Sequence, residues 1–242
     1  MPDQRPRLLV TAGPTHEPID AVRYIANRSS GRVGVEIARA ALRSGWEVTL
    51  ALGPTPLITR AEQVTDSIET TYGDTQTPAR RFQLIRFRTT EDLRTILTQS
   101  APNNDILIMA AAVADFRPVG DAHRPEGKMR RDPSGVTLRL EATPDLVAEC
   151  VCRRESGADG GPNLIVAFAL EPANGLLEAA SAKLKRKGAD LIVANPLETM
   201  DAESINATLV SPRGVEASTN GELSKSAFGD WLIGELGRKL GR

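Results

Sequence analysis

Six short apolar runs punctuate the chain, and their spacing restricts the fold more than any other feature: "RLLVTAG", "EVTLALG", "FQLIRFRT", "DILIMAAAV", "NLIVAFALE" and "DLIVANPL". They are bounded by Gly, Pro or Asn and alternate with helix-like stretches. Such runs read as strands buried on both faces, which requires a parallel sheet covered by helices. Helical periodicity falls on residues 31–45, 90–100, 144–155, 173–188 and 223–240. The alternation predicts an α/β fold: a Rossmann-like doubly wound, mostly parallel sheet with helices on both faces. Two segments depart from it. "GVTLRLEAT" alternates apolar and polar residues and reads as a small β flap outside the main sheet. "SINATLVSPRGVEAS" reads as an antiparallel edge hairpin turning at "SPRG". Residues 59–81 are polar and rich in Thr, a surface excursion with little packed structure. At 242 residues the chain can bury one large core, and 1–242 is read as a single domain.

Charge excludes some functions. With 30 basic and 31 acidic residues the net charge is -1, so no global field recruits nucleic acid or a membrane surface. No apolar run approaches the roughly 20 residues of a membrane span, and "MPDQRPRLLV" lacks the apolar core of a signal peptide. Cys150 and Cys152 sit one residue apart on a predicted helix and point to different faces, which suits thiols in a reducing compartment. A cytoplasmic location is expected. Two His in the whole chain argue against a His-based zinc site.

In a doubly wound sheet, ligands sit beyond the carboxyl ends of the strands, so the residues there are the candidates. After the first run, "VRYIANRSSGRVG" is a loop feeding a helix. Its Ser29, Ser30 and Gly31 offer two hydroxyls, a glycine able to take positive φ and free N–H groups, a combination that binds anions. An ordinary N-cap uses the same residue types. Asn27 can aim a neutral donor at a carbonyl oxygen undergoing chemistry. Asp115 follows the small residues "AAAVA"; its carboxylate can hold a metal, a base amino group or a ribose hydroxyl, or cap a turn. "KMRR", Lys128 to Arg131, groups three cations behind Gly127, as a polyphosphate leaving group needs. Phe168, one of five phenylalanines, can stack on a base or fill the core. Lys183 and Lys187 share a helix face at i, i+4, which is unfavourable unless an anion lies between them, although basic residues in a helix's last turn also suit its dipole. Asn195 contacts a polar ligand or turns with Pro196.

Taken in order, "TAGPTHEPIDAVRYIANRSSGRVG", "AAAVADF", "GKMRR", "TPDL", "FALE" and "KLKRKGADLIVANP" resemble the phosphopantothenate-cysteine ligase (phosphopantothenoylcysteine synthetase) family of coenzyme A biosynthesis. The likeness runs from Leu8 to about Leu236. It implies activation of the 4'-phosphopantothenate carboxylate by a nucleoside triphosphate, release of pyrophosphate, and attack of the L-cysteine amine on the acyl-nucleotide. Asn27 matches the family's Asn that handles this intermediate, and Lys128 the Lys that opens its basic motif. Met109, Ala110, Ala111, Asp115, Thr143, Pro144, Asp145, Leu146, Phe168, Lys183 and Lys187 match nucleotide-binding positions, Lys128 with them. Gly13, Ser29, Ser30, Gly31 and Asn195 fall, with Asn27, on the pantothenate side. Mg2+ and CTP are the implied cofactor and co-substrate, CTP over ATP because "GPTHEPID" and "VADF" look bacterial. Members dimerise through a flap that reaches the partner, here about 128–143. A decarboxylase, fused upstream in most bacteria, is expected as a separate protein. The basic motif departs from the usual Lys-x-Lys-Lys by Arg130 and Arg131, and Leu170 and Pro172 depart from the usual "FAAET". The competing readings are an NAD(P)-binding oxidoreductase, which the missing G-x-G-x-x-G disfavours, and a non-catalytic nucleotide-binding regulator.

Overall fold

The first apolar run forms β1 (Arg7–Ala12), where Leu8, Leu9 and Val10 are all fully buried. Successive side chains of a strand point to opposite faces, so burial of all three requires cover on both sides. The computed structural model, which describes residues 5–55, 81–120, 126–157 and 160–241, supplies it. Along the chain follow α1 (Arg32–Arg43), β2 (Glu47–Leu52), β3 (Phe82–Arg86), α2 (Thr90–Ser100) and β4 (Ile106–Met109). Then come α3 (Leu146–Ser156), β5 (Leu164–Glu171), α4 (Leu176–Lys187) and β6 (Leu191–Pro196). The last elements are β7 (Thr208–Ser211), β8 (Gly214–Ser218) and α5 (Lys225–Lys239). Residues 56–80, and with them nearly all of the polar excursion at 59–81, lie outside the described residues.

The sheet order is β8-β7-β6-β5-β4-β1-β2-β3. β6 to β3 are parallel, while β7 and β8 add the antiparallel edge hairpin expected from "SPRG". Leu8 and Val10 pack with Ile37 and Ala41 of α1 and Phe228 and Leu232 of α5 on one face. Leu9 and Leu107 pack with Leu93 and Leu97 of α2, Val147 and Val151 of α3 and Leu184 of α4 on the other. The chain thus leaves β1 toward one helical layer and β4 toward the other. Between these neighbouring strands the connections diverge, and the divergence opens a crevice at their carboxyl ends.

Close packing brings the first helix to that crevice. A Cβ on Gly34 would lie 2.6 Å from the Ala12 Cβ and 2.8 Å from the Thr11 carbonyl oxygen, so only glycine lets α1 lie this close to β1. Three helices carry side-chain caps: Thr89 and Asp92 form a capping box on α2, Asp145 caps α3 and Ser224 caps α5. α1 and α4 instead start from left-handed glycines, Gly31 (φ 76°) and Gly175 (φ 80°), with no side-chain cap.

Three small ribbons stand outside the main sheet. Phe116–Val119 pairs antiparallel with Arg139–Ala142, where the alternation of "GVTLRLEAT" places a flap, and all four residues of the second strand are exposed. His16–Pro18 pairs with Tyr24–Ala26, a ribbon with no counterpart in the sequence reading, and Ser204–Ile205 pairs with Leu223–Ser224. The turn of the 16–26 ribbon is built on Asp20. Its buried carboxylate accepts hydrogen bonds from the Val22 amide (2.9 Å), the Arg23 amide and guanidinium (2.8 Å each) and the Met129 amide (3.0 Å). The Ala21 amide also donates to the Gly127 carbonyl at 2.8 Å. These bonds fasten the "GKMRR" segment, in the connection between the two flap strands, to the domain.

Cys150 is buried in α3 and Cys152 exposed, and both are free thiols. Burial pushes the Cys150 thiol up to about 11, which makes it a packing residue. Among the described residues no helix is long and apolar enough to cross a membrane.

Candidate functional site

The crevice between the diverging connections encloses about 1240 Å³. Its walls come from residues 26–34 after β1, 109–116 after β4, 142–147 leading into α3, the end of β5 with one face of α4, and the end of β6 with Lys225. Of the residues matched to nucleotide-binding and pantothenate-side positions, all but Gly13 and Lys128 line it.

Asn27 bridges the two sides. Its Nδ2 donates to the Val113 carbonyl oxygen at 2.9 Å, which ties the loop after β1 to the loop after β4. An amide has two N–H donors, so one remains for a ligand. Ser29 Oγ accepts from the Gly31 amide (3.3 Å) and Ser30 Oγ from the Arg32 amide (3.4 Å), both long bonds. Gly31 takes the positive φ expected of it, and its missing Cβ matters: one there would come within 3.0 Å of the Gly13 amide nitrogen. Gly13, itself at φ 81°, therefore sits behind the Ser-Ser-Gly loop and shapes it, rather than forming the wall that its place on the pantothenate side implies. α1 starts at the crevice without an acidic residue in its first turn, so its partial positive charge is available to an anion.

The opposite wall is narrow and tightly bonded. The Ala111 amide donates to Thr11 Oγ1 (3.1 Å) and the Ala114 amide to Thr15 Oγ1 (2.9 Å). Thr143 donates through its amide to the Asp115 carbonyl (2.9 Å) and through its hydroxyl to the Ala114 carbonyl (2.5 Å). The "TPDL" run is thereby held beside Asp115.

The pair Lys183 and Lys187 resolves differently from expectation. The anion that the spacing asks for is part of the protein: both Asp145 oxygens lie 2.6 Å from Lys187 Nζ. Burial raises the Asp145 carboxyl, but the bonds from Lys187 and from the Ala148 and Val147 amides outweigh it and hold the group below the usual carboxylate range. Lys187 is therefore a neutralised strut between α4 and the start of α3. Among the described residues Lys183 makes no such pair. Its ammonium is lowered from the ordinary lysine value first by burial and then by Lys187, against the pull of Glu171 and Asp115, and it faces the crevice as a poorly solvated cation.

Phe168 is half-buried on β5. Its ring meets Phe228 edge-on in the core, at 6.5 Å between centroids, and also lines the crevice. Asn195, 8 % exposed, donates to Thr199 Oγ1 at 2.8 Å, so its amide is partly used by the local turn. Lys128 is exposed in the connection between the two flap strands, outside the crevice of its own chain. Sequence reasoning missed Arg28, Arg32, Glu171, Arg186 and Lys225, all of which line the crevice. Arg28 and Arg32 flank the Ser-Ser-Gly motif and were findable from it. Lys225 carries no local signal.

Sheet order, divergent connections and a cation-lined crevice at a helix N-terminus define a Rossmann-type α/β protein with a crevice at the switch point. Residues 4–238 match the model of the DNA/pantothenate metabolism flavoprotein C-terminal domain, and the chain belongs to that family. It is 36% identical over 219 residues to the coenzyme A biosynthesis bifunctional protein CoaBC of Mycobacterium tuberculosis, covering 88% of this chain and 47% of that protein. The chain thus spans about half the length of the curated relatives it matches. The crystal structure of the C-terminal domain of a CoaBC protein superposes with a TM-score of 0.71 at 27% identity, covering 98% of this chain and 96% of that one. A DNA/pantothenate metabolism flavoprotein from Streptococcus pneumoniae shares the fold, with a TM-score of 0.73 at 21% identity and coverage of 98% and 100%.

Proposed function

We propose that the chain is a phosphopantothenate-cysteine ligase of coenzyme A biosynthesis. A carboxylate oxygen of 4'-phosphopantothenate attacks the α-phosphorus of CTP and pyrophosphate leaves. The amine of L-cysteine then attacks the acyl carbon, forming the amide and releasing CMP. The observation that carries this reading is the convergence of Asn27, Asp115, Phe168 and Lys183 on one crevice at the switch point of the sheet. Such a condensation needs charge neutralisation and orientation rather than a nucleophilic side chain, which suits a site built from cations, amides and small residues. Lys183 meets the triphosphate, Asp115 a polar group of the nucleoside, and Phe168 stacks on the base. Asn27 offers its remaining N–H to the acyl carbonyl. Among the described residues no three His, Cys, Asp or Glu cluster to hold a metal. Magnesium in this reading is bound to the phosphate oxygens of the nucleotide.

The active form in this reading is a cytoplasmic homodimer, and any decarboxylase is a separate protein or segment. Phe116, Val136 and Leu140 on the flap are exposed apolar residues, the composition of a partner-facing surface. Lys128 and its neighbouring arginines then act from the flap.

The direct test is pyrophosphate release with phosphopantothenate, cysteine and magnesium, using each triphosphate in turn. Turnover with CTP well above ATP is expected. Equal or faster turnover with ATP overturns the CTP assignment, and release with none overturns the ligase in favour of a binding protein. Phe168→Ala should raise the KM for CTP by an amount equivalent to about 1–3 kcal/mol, the usual worth of stacking a base on an aromatic ring. Loss of its contact with Phe228 should also lower the melting temperature. A lower Tm with an unchanged KM would mean that the ring serves the core alone.

A further inference from the structure

A buried carboxylate stands behind the crevice wall rather than in it. Glu17, on the first strand of the 16–26 ribbon, is 4 % exposed and does not line the crevice. Its Oε1 accepts from the Thr90 amide (2.8 Å) and the Thr90 hydroxyl (2.7 Å), both on the first residue of α2. Among the described residues it forms no ion pair. The first turn of α2 is already closed by the capping box of Thr89 and Asp92. Taking an ionised carboxylate out of water is costly, so capping of that helix does not by itself account for Glu17.

The bonds run on from Thr90 toward the crevice. The single Thr90 hydroxyl proton is spent on the carboxylate, which leaves Thr15 to donate in the 3.3 Å contact between the two hydroxyls. Thr15 Oγ1 in turn accepts from the Ala114 amide at 2.9 Å. Thr15 and Thr90 are both buried, so water does not interrupt this chain of bonds. Next to Ala114 comes Asp115, whose exposed side chain lines the crevice. The preceding residues of the loop are held by neutral partners: Ala112 exchanges backbone bonds with Gly13 and Thr15, and the Val113 carbonyl accepts from Asn27. Of these holds only the Ala114 link ends on a charge, and hydrogen bonds to an ionised group are about twice as strong as neutral ones.

We propose that Glu17 is a positioning residue: through Thr90 and Thr15 it fixes the Ala114 amide, and with it the direction in which Asp115 meets the nucleotide. The role of Asp115 toward the nucleotide rests on the ligase reading, whereas the hold on Ala114 does not. The test uses the whole chain with Glu17→Met, which keeps the bulk and removes both acceptor oxygens, and with Glu17→Gln, which keeps one. Amide hydrogen exchange reads the hold. In Glu17→Met the Ala114 amide should exchange at least about tenfold faster, while the Ala111 amide, bonded to Thr11, should be unchanged. Titration with CTP reads the consequence: the Kd should rise at least about tenfold in Glu17→Met and return to within about threefold of normal in Glu17→Gln. A residue that serves stability alone would act independently of Asp115, so the decisive comparison is made in an Asp115→Ala background. There Glu17→Met should change the Kd by less than about twofold, because the carboxylate it positions is gone. Unchanged Ala114 exchange overturns the hold. An effect on Kd that is undiminished in Asp115→Ala overturns the positioning role, as does a Glu17→Gln chain that binds as weakly as Glu17→Met. If the unsubstituted chain binds no CTP, the ligase reading fails and the exchange result still decides the hold. If Glu17→Met does not fold, Thr15→Val breaks the same chain of bonds at its middle and makes the same comparison.

Discussion

Asn27→Ala should slow formation of phosphopantothenoylcysteine by about two to three orders of magnitude while the acyl-nucleotide still forms. The Asn27 amide spends one hydrogen on the Val113 carbonyl and keeps one for the acyl oxygen, on which charge grows as the cysteine amine adds. Removing a single donor of this kind costs about 2.7–4 kcal/mol in a well-studied case. The first half-reaction does not develop that charge, so pyrophosphate release should continue to one equivalent and phosphopantothenoyl-cytidylate should accumulate. Mass spectrometry of a quenched reaction checks it. Asn27→Asp should give the same intermediate with an added structural defect, because a carboxylate would face the Val113 carbonyl oxygen at the distance where the amide now donates. A normal rate of product formation in Asn27→Ala would end the oxyanion role.

Lys128→Ala should instead abolish acyl-nucleotide formation, since a cation beside the triphosphate stabilises charge that grows as pyrophosphate leaves. The position of Lys128 adds a sharper expectation. It is exposed in the connection between the flap strands and does not line the crevice of its own chain, so it serves a partner's crevice if the flaps cross between copies. Lys128→Ala and Asn27→Ala, each nearly inactive, should then restore about a quarter of the normal rate when unfolded and refolded together in equal amounts. Half of the dimers would be mixed, and each would hold one intact site. No recovery in the mixture, with mixed dimers demonstrated by mass, would place Lys128 in its own chain's reaction.

The main sheet was readable because a strand buried on both faces leaves little choice of residue. β1, β4 and β6 are almost uninterrupted apolar runs, and the turn at "SPRG" announces the edge hairpin. Helix ends were readable where a cap is local: α2 runs over Thr90–Ser100 because Thr89 and Asp92 close its first turn. α4 begins at Leu176, later than its periodicity indicates, because Gly175 takes the left-handed conformation just before it. The partners of charges were beyond reach. Lys187 is answered by Asp145, 42 residues away, and no spacing rule links them. The 16–26 ribbon escaped notice for the same reason, since its turn is held by one carboxylate gripping four donors rather than by alternation along the strands. Lys225 looks like any lysine opening a helix until α1 is packed across it.

The Asp20 carboxylate carries a mechanical consequence for the flap. Burial raises it, but the amides of Val22, Met129 and Arg23 and the Arg23 guanidinium together hold it below the ordinary carboxylate value. A depressed folded-state value means that the fastening is complete above the unfolded value and is lost only as pH falls through the lower folded one. Near neutral pH the connection between the flap strands is therefore held at Met129, while the strands themselves join the domain at Phe116 and Ala142, so the flap is a beam supported at both ends. A beam so held transmits load to its supports, so contacts made on the flap strands bear on the 16–26 ribbon, and through Asn27, one residue past that ribbon, on the loop that lines the crevice.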